Sequence, residues 1–426
     1  MTSILTIREH ETIKIGDKFS KEEKIITRFQ ANSIEKWEKE QGKSIFKWGN
    51  KKIIPQQWVG ILGLSNLQIE ILPKIEINED QKIRKNLLYM LSIAKEIPFR
   101  ENEIGHFEVD KNTFLESYIT VFLDKLKWAL KKGIVHEYNQ KESNEKFIKG
   151  KLVVSKHIQK NISNKTNFYI RYDEFSINNI ANRIIKATII KLIGLTQKQD
   201  NLKNLHIVKQ YFLDIDEKTF SLLDFSKLNL TRANKYYHKL LVMCELFWRE
   251  ESPSFHSGEV TTFSLLFDMN KIYESFIQNM LENNNGKIFD NEMYLVNKGQ
   301  KTKFLFKNHL NRNVFKLIPD NIILNKNTKK VVKIIDTKWK VLDESKRNSG
   351  ISQSDIYQMY AYAREFACEE IILLYPQISK DYKPLPIYFN ETFSDHKIKL
   401  SIRTVNLNVS LPEEISLIID ELKTYF

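Results

Sequence analysis

The fold is decided by residues 317–340, which read LIPDNIILNKNTKKVVKIIDTKWK in one-letter code. Two apolar runs flank a turn rich in Asn and Lys, so the stretch predicts a β-hairpin. Asp320 lies on the first strand, and Asp336 and Lys338 lie on the second. Because strand side chains alternate between faces, Asp336 and Lys338 point the same way, about 6.6 Å apart along the strand. Asp336 also ends an apolar run, where a carboxylate without a partner costs free energy.

Two carboxylates and a lysine at this spacing suit the hydrolysis of a phosphodiester. Carboxylate and carbonyl oxygens are the ligands that Mg²⁺ prefers, and a bound metal ion lowers the pKa of its water. A nearby lysine orients that water or stabilises charge on phosphorus. Asp336 follows Asp320 by 16 residues, and the pattern resembles the PD-x(n)-D-x-K signature of the PD-(D/E)xK nuclease superfamily. The alternative is a solvated hairpin that carries Asp and Lys without a catalytic role.

Two predicted helices flank the hairpin. The upstream helix has a core-facing apolar stripe behind Asp268, a good N-cap residue. Glu274 lies beside that stripe, either as a surface carboxylate or facing the metal, as is typical of the nuclease fold. Residues 352–367 predict the second helix, on which Gln358 and Tyr362 share one face. A Gln-x-x-x-Tyr helix after the D-x-K strand recurs in this superfamily, where it positions the DNA or the catalytic lysine; an ordinary half-buried helix is the alternative.

Hydrophobic periodicity divides the chain into three predicted domains, which together make a multidomain α+β protein. Alternating segments predict a small β-rich N-terminal domain at 1–80. Helical spacing predicts a mostly helical domain at 81–255, with a basic strand-like insert at 149–152. Residues 256–426 predict an α/β domain of the PD-(D/E)xK restriction-endonuclease type, with a last helix from Pro412.

Local signals support this division. Ser, Pro, His and Gly at 252–258 predict a boundary loop before the last domain. Within that domain, the apolar run 371–375 predicts a strand that Pro376 stops. This strand completes the order helix, strands, helix, strand.

The composition excludes several classes of protein. The 426 residues are 42% hydrophobic and 28% charged, as in a globular chain, and the formal net charge of +13 favours a polyanionic partner such as nucleic acid. No run approaches the roughly 18 apolar residues of a membrane helix, and the N-terminus lacks a signal-peptide core. The two cysteines lie far apart. We therefore expect a cytoplasmic protein without a membrane anchor, disulfides or a zinc framework.

The sequence also lacks the motif of a nucleotide-driven motor. Gly42, Lys43 and Ser44 resemble the end of a P-loop, but Trp37 stands where the motif requires its first glycine. Residues 34–42 instead predict a short exposed helix with Gly42 as its C-cap. The chain is therefore not expected to bind and hydrolyse nucleotide by itself.

From about residue 68 to residue 375 the chain resembles the McrC family, the nuclease subunits of McrBC-type modification-dependent restriction systems. The segments that carry the resemblance are 71–75, 86–91, 173–186, 267–274, 319–320, 336–340 and 355–363. For segment 173–186, a polar network between helices is the alternative interpretation. In the family a separate AAA+ GTPase, McrB, forms hexameric rings, reads modified cytosine and translocates DNA, while McrC docks its N-terminal part into the ring, stimulates GTP hydrolysis and cuts.

The resemblance implies that this chain is a Mg²⁺-dependent DNA endonuclease subunit that works with a McrB-like AAA+ GTPase hexamer. It assigns metal binding to two aspartates, a glutamate and one carbonyl oxygen, namely Asp320, Asp336, Glu274 and that of Thr337. It further implies that Lys338 positions the attacking water and that Gln358 and Tyr362 hold the DNA strand. Two alternatives are a regulatory adaptor of the ring GTPase with a vestigial nuclease fold, and a stand-alone PD-(D/E)xK repair nuclease.

Overall fold

The structure, a computed structural model, describes most of the chain and mixes helices with strands throughout. The described residues are 3–64, 66–99, 113–217, 220, 222–228, 234–249, 263–296, 298–379, 387–390 and 398–426. The chain folds into two compact units, one formed by residues 1–114 with 252–426 and the other by 115–251. A compact unit can hold more than one domain, so the limits 1–80, 81–255 and 256–426 stay a prediction. The predicted boundary loop at 252–258 lies outside the described residues.

The front of the first unit is rich in strands, as the alternating pattern predicts. Its elements are β1 (Ser3–Arg8), β2 (Ile13–Gly16), β3 (Ile25–Thr27), α1 (Arg28–Gln41), β4 (Phe46–Gly49), β5 (Lys52–Pro55), β6 (Trp58–Leu64), β7 (Leu67–Leu72) and α2 (Asp80–Ile93). Strands β3, β2, β5 and β4 form one sheet in that order, and β1, β7 and β6 are neighbours in another. Apolar side chains of both sheets and of α1 share one buried core.

Helix α1 confirms the predicted helix but not its exposure. Thr27 forms a capping box with Gln30 at its start, and Gly42 ends it with a φ of 62°, a conformation that glycine adopts without strain. Ile34 and Trp37 are fully buried, so the helix is half core. The charged residues between Ile34 and Trp37 made the helix look exposed in the sequence, but the two apolar side chains share one buried face.

The second unit is largely helical, as predicted, but its strand-like insert is larger than residues 149–152. Its elements are α3 (Phe114–Lys131), β8 (Glu137–Glu145), β9 (Lys151–Leu152), α4 (Val154–Asn161), β10 (Phe168–Ser176), α5 (Ile180–Leu195), α6 (Gln199–Lys209), α7 (Leu222–Phe225) and α8 (His238–Trp248). Strands β8, β10 and β9 form a three-stranded sheet. The polar side chains of β8 and β10 gave no apolar alternation, so periodicity missed them.

Segment 173–186, one of the segments that resemble the McrC family, forms a polar network. Such a network is the alternative interpretation of this segment. The Asn179 side chain accepts the N–H of Asn182 and caps α5, while the Asn182 amide donates to the carbonyl oxygens of Val135 and Ile177. These bonds satisfy buried polar groups within the second unit, so the motif has a structural role there.

The back of the first unit holds the predicted hairpin within a larger sheet. Its elements are β11 (Phe263–Asp268), α9 (Met269–Asn283), α10 (Asn285–Ile288), β12 (Met293–Val296), β13 (Lys303–Lys307), β14 (Asn313–Leu317), β15 (Asn321–Asn325), β16 (Val331–Thr337), α11 (Gln353–Phe366), β17 (Glu370–Gln377), β18 (Ile387–Asn390), β19 (Lys399–Asn406) and α12 (Ile415–Lys423). The antiparallel pairing of β15 with β16 confirms the hairpin. The sheet order is β12-β15-β16-β17-β19-β18, with β16, β17 and β19 mutually parallel.

The prediction that Pro376 stops its strand is wrong. β17 continues to Gln377, and Pro376 pairs with Val405 of β19. β16 ends opposite Leu374. Beyond that point no strand of the described residues pairs with β17 on that side, and an edge position tolerates a residue that lacks an N–H donor.

Strand β11, in the back part of the first unit, pairs antiparallel with β6 in its front part. This pairing joins the two parts of the unit. Gly60 makes this pairing possible. A Cβ atom there would collide with the carbonyl oxygen of Leu265, and its φ of +123° is one that other residues rarely adopt. Asp268 then ends β11 and caps α9, as predicted, by accepting the N–H of Asn270. The first of the two predicted site helices is thus anchored to the front of the chain.

Helix α11 packs on the six-stranded sheet that contains β15, β16 and β17. It starts at the predicted cap, Ser352, which accepts the N–H of Asp355. Its inner face, with Met359, Tyr362 and Phe366, shares a core with side chains of β15, β16 and β17. None of the helices within the described residues combines the length and the apolar character needed to cross a membrane.

Candidate active site

Asp320 lies immediately before β15 and is 7% exposed. Its Oδ2 accepts two hydrogen bonds from Thr337, one from the backbone N–H and one from the hydroxyl, both 2.9 Å long. Its Oδ1 accepts a hydrogen bond of 2.9 Å from Nζ of Lys298. The end of β16 therefore holds the Asp320 carboxylate in place, as the hairpin register requires.

Asp336 and Lys338 lie together at the end of β16, as the two-residue spacing predicts. Asp336 is 2% exposed, and Nζ of Lys338 lies 2.5 Å from its Oδ2. The contact is an ion pair rather than an aligned hydrogen bond, since this oxygen has no hydrogen-bond donor among the described residues. Burial and the neighbouring charge of Asp320 raise the pKa of Asp336 above its ordinary value.

Gln358 and Tyr362 contact Lys338 and the loop before Asp320. Oε1 of Gln358 accepts a hydrogen bond of 3.2 Å from Nζ of Lys338, and its Nε2 donates to the Tyr362 hydroxyl at 2.8 Å. That hydroxyl donates in turn to the carbonyl oxygen of Ile318 at 3.1 Å. Burial and the charge of Asp336 raise the pKa of Tyr362 to about 12. The chain of bonds ties α11 to both strands of the hairpin.

Glu274 is joined to the cluster through a residue that sequence reasoning missed. Lys298, which follows β12, donates to Oε1 of Glu274 at 2.6 Å as well as to Asp320. Burial and the charge of Asp320 raise the pKa of Glu274. The only signal for Lys298 in the sequence is its place in a stretch without acidic residues before Asp320. The structure therefore brings together all of the predicted side chains and adds a second lysine.

Both lysines stay protonated near neutral pH. Burial lowers the pKa of each, but the carboxylates outweigh this effect, Asp320 and Glu274 for Lys298 and chiefly Asp336 for Lys338. Three carboxylates thus share two ammonium groups in a half-buried cluster. The excess negative charge makes the cluster a place where a further cation is stabilised.

The PD-(D/E)xK signature implies a Mg²⁺ ion, for which carboxylate oxygens are preferred ligands. Among the described residues no group of three or more His, Cys, Asp or Glu side chains is arranged to hold a metal ion. Two buried aspartates are present, however, and Oδ2 of Asp336 accepts no aligned hydrogen bond, although it is ion-paired with Lys338. Mg²⁺ in proteins is commonly bound by one or two carboxylates and keeps several waters. The residues therefore fit a magnesium ion held mainly by Asp320 and Asp336.

A second layer of contacts, also unforeseen, fixes the end of β16 from the front of the chain. Trp339 donates its indole N–H to both carboxylate oxygens of Glu9, at 3.0 and 3.1 Å, and Nζ of Lys74 donates to the Trp339 carbonyl oxygen at 3.3 Å. Burial raises the pKa of Glu9 to about 7, against the opposing effect of Lys74. Lys340, two residues after Lys338, forms an ion pair with α11: its Nζ lies 2.9 Å from Oδ2 of Asp355.

The fold and the site together define a class in coarse terms: a mixed α/β chain with a buried carboxylate–lysine cluster at the ends of neighbouring strands. Residues 53–376 match the family model described as McrBC 5-methylcytosine restriction system component. The chain belongs to that family, which confirms the resemblance. The comparison with curated proteins gives no match.

Two solved structures share the fold. One is described as a refined half-complex from a tetradecameric assembly of Thermococcus gammatolerans McrB AAA+ hexamers with bound McrC; it is 19% identical, with a TM-score of 0.76 over 100% of both chains. The other, the cryo-EM structure of the Thermococcus gammatolerans McrBC complex, is 20% identical, with a TM-score of 0.53 over 66% of this chain and 88% of that one. At these identities the likeness establishes the fold alone.

Proposed function

We propose that this chain is the Mg²⁺-dependent DNA endonuclease subunit of a modification-dependent restriction complex. The observation that carries the proposal is the convergence of Asp320, Asp336 and Lys338 at one end of the hairpin. The family description names a 5-methylcytosine restriction system. The net charge of +13 suits a DNA substrate, since phosphate contacts dominate the affinity for DNA.

Asp320 and Asp336 would hold the metal ion, with Glu274 and the carbonyl oxygen of Thr337 as further ligands. Bound Mg²⁺ supplies a polarised phosphoryl oxygen and a water of lowered pKa. The raised pKa of Lys338 keeps its side chain an ammonium, although burial opposes this. An ammonium group at this place would orient the attacking water or stabilise the charge that develops on phosphorus.

Gln358 and Tyr362 act as positioning residues in this proposal. The Gln358 amide holds the Lys338 ammonium on one side, while Asp336 holds it on the other. Tyr362 is 3% exposed and orients the Gln358 amide. These contacts favour the positioning of the lysine over direct contact with the DNA strand, the two roles that the Gln-x-x-x-Tyr motif has in the superfamily.

A McrB-like AAA+ GTPase hexamer is the proposed partner. This chain carries no P-loop of its own, and the more similar of the two solved structures is described as McrB AAA+ hexamers with bound McrC. Residues 1–80 are proposed to dock on that partner and to stimulate its GTP hydrolysis. Recognition of the modified base would then lie in the partner chain.

The proposal is tested with Asp336→Asn and with Asp343→Asn, a matched control in an exposed turn of the same segment. The two variants and the wild type are each mixed with the GTPase partner, Mg²⁺, GTP and methylated DNA. We expect Asp336→Asn to lose DNA cleavage by about a thousandfold or more, because the metal site loses a charged ligand. The partner's GTP hydrolysis should be unchanged, and Asp343→Asn should cleave normally.

Other outcomes decide among the alternatives. Full cleavage by Asp336→Asn would contradict the proposed site. A wild-type chain that stimulates GTP hydrolysis but never cuts would be a regulatory adaptor. Cleavage by the purified chain without any GTPase would indicate a stand-alone nuclease.

A further inference from the structure

The sequence between Glu292 and Asp320 contains no acidic residue. It contains six cationic ones instead, Lys298, Lys301, Lys303, Lys307, Arg312 and Lys316. Lys298 is used within the site, where it contacts Asp320 and Glu274. The last four lie on β13, on β14 and in the turn between them, a segment (303–317) that we call the basic hairpin. All four are exposed to solvent.

The basic hairpin is a separate two-stranded sheet. Leu317 is buried in the core of the six-stranded sheet, and Leu305 packs against that core. β13 also lies against α11, the helix that carries Gln358 and Tyr362. The remaining side chains are largely exposed, so the hairpin is anchored at its base and projects from it.

Two large aromatic side chains are displayed on this projection. Phe306 is 63% exposed and Phe315 is 70% exposed, and their rings pack edge to face with centroids 6.0 Å apart. Phe315 has a φ of +57°, in the left-handed region that bulky residues rarely adopt. Strain of this kind persists chiefly where it serves a function. Burial does not offset it here, because the ring is in water.

The basic hairpin is continuous with the candidate active site at both of its ends. β14 ends at Leu317, and Asp320 follows three residues later. Lys298, just before β13, contacts both Asp320 and Glu274. A polyanion bound at the hairpin would therefore reach the carboxylate–lysine cluster without leaving the surface of this segment.

We propose that the basic hairpin binds double-stranded DNA beside the scissile phosphate, an inference that rests on the proposed function. Its lysines and arginine contact phosphates, and the Phe306–Phe315 pair packs against an adjacent base step. Charge favours DNA over a protein partner. The cores of protein interfaces are depleted in lysine, whereas here lysines flank the exposed rings on both strands.

The test measures the affinity of the full chain for a fluorescent DNA duplex at several salt concentrations, with EDTA present so that nothing is cut. The double variant Lys303→Gln/Lys307→Gln should reduce the slope of log K against log salt by about 2, since each lost phosphate contact removes about 0.9. Phe315→Gly should weaken binding about tenfold at unchanged slope, because a stacking ring is lost and no charge changes.

Controls separate binding from folding. Glycine accepts the backbone conformation of residue 315, so Phe315→Gly should unfold no earlier than the wild type in a thermal melt. Phe389→Ala on β18 removes an exposed ring elsewhere in the same unit, and Lys423→Gln at the end of α12 removes an exposed charge. Both of these control variants should bind DNA as the wild type does.

The inference is overturned if both hairpin variants bind DNA with wild-type affinity and slope. It is also overturned if the hairpin variants lose the stimulation of the partner's GTP hydrolysis while they keep their DNA affinity, since the hairpin then contacts protein. Failure of the proposed function has a different signature. In that case the wild type binds DNA with the expected slope and never cleaves it.

Discussion

The ammonium group of Lys298 lies between two carboxylates of the candidate active site, where the proposed metal ion would also bind. Its Nζ lies within 2.9 Å of both Oε1 of Glu274 and Oδ1 of Asp320, two carboxylates proposed as metal ligands. A divalent ion and this ammonium group compete for the same negative charge. We therefore predict that Lys298 stabilises the cluster when no metal ion is bound and would yield part of that position to the proposed metal ion.

The variant Lys298→Met should bind Mn²⁺, used in place of Mg²⁺, about tenfold more tightly than the wild type, because an opposing positive charge is removed. Isothermal titration of the full chain measures this directly and does not depend on cleavage. Lys301→Met, three residues further on, is the matched control and should bind Mn²⁺ as the wild type does. Weaker binding by Lys298→Met would contradict the competition.

Glu9 gives the stability of the protein a defined dependence on pH. Burial raises the pKa of Glu9 from 4.5 to about 7, so the folded chain keeps a proton that the unfolded chain loses between these values. Its contribution to stability is complete below pH 4.5 and is lost as the pH rises through 7. The full loss is about 3 kcal/mol, since one pKa unit corresponds to about 1.4 kcal/mol.

Urea unfolding of the wild type and of Glu9→Gln at pH 5 and pH 8 should show this difference. The wild type should lose more free energy of unfolding than the variant does on going to pH 8. Glu11→Gln is an informative control, because the pKa of Glu11 is lowered: burial raises it, but Lys24 and Arg8 outweigh that effect. Equal losses in the wild type and Glu9→Gln would show that Glu9 does not carry the effect.

At the scale of elements, α11 is the part that holds Lys338, the lysine proposed to act in catalysis. It packs on the sheet through Met359 and Phe366, and its polar face presents Gln358 to Lys338. β16 ends at Thr337, one residue before Lys338, so side chains of the helix replace the support that a longer strand would supply. The positioning role and the DNA-holding role of this face make different kinetic predictions.

Gln358→Ala and Tyr362→Phe should each lower kcat for DNA cleavage about tenfold and leave KM for DNA nearly unchanged, because the interaction lost is one that orients Lys338. Steady-state kinetics with the partner present measures both constants. Gln353→Ala, on an exposed turn of the same helix, is the control. A raised KM with normal kcat would instead assign the two residues to holding the DNA strand.

At the scale of the whole molecule, the first compact unit is built from both ends of the chain. β11 completes the sheet of β1, β7 and β6, and Glu9 holds Trp339, the residue that follows Lys338. The site in the back half therefore depends on contacts made by the front. Gly60, which allows β11 to approach β6, is the position where this dependence can be tested.

Gly60→Ala should destabilise the protein by about 2–4 kcal/mol, because the new methyl group meets the Leu265 carbonyl and φ is unfavourable. Thermal unfolding of the full chain measures the loss. Gly63→Ala in the same strand is the matched control: φ there is ordinary and its Cβ would lie 3.5 Å from the nearest atom, a normal contact. Equal melting temperatures for the two variants would contradict the proposed constraint.

Much of this architecture could be predicted from local pattern. The hairpin, the two capped site helices and the pairing of Asp336 with Lys338 follow from periods of two and of about 3.6 residues and from capping chemistry. The strands β8 and β10 could not be predicted in this way, because their polar residues show no alternation. The prediction that Pro376 ends its strand failed for a related reason. Whether a strand can contain a proline depends on where the neighbouring strand ends.

The sequence by itself determined which residues meet in the candidate site, because their spacing along one hairpin already brings Asp320, Asp336 and Lys338 together. Only the tertiary structure decided what surrounds them. The ion pairs of Lys298 with two carboxylates and the bond of Trp339 to Glu9 join residues of separate elements. Such contacts depend on burial and on the meeting of separate elements, and no periodicity in the sequence records either one.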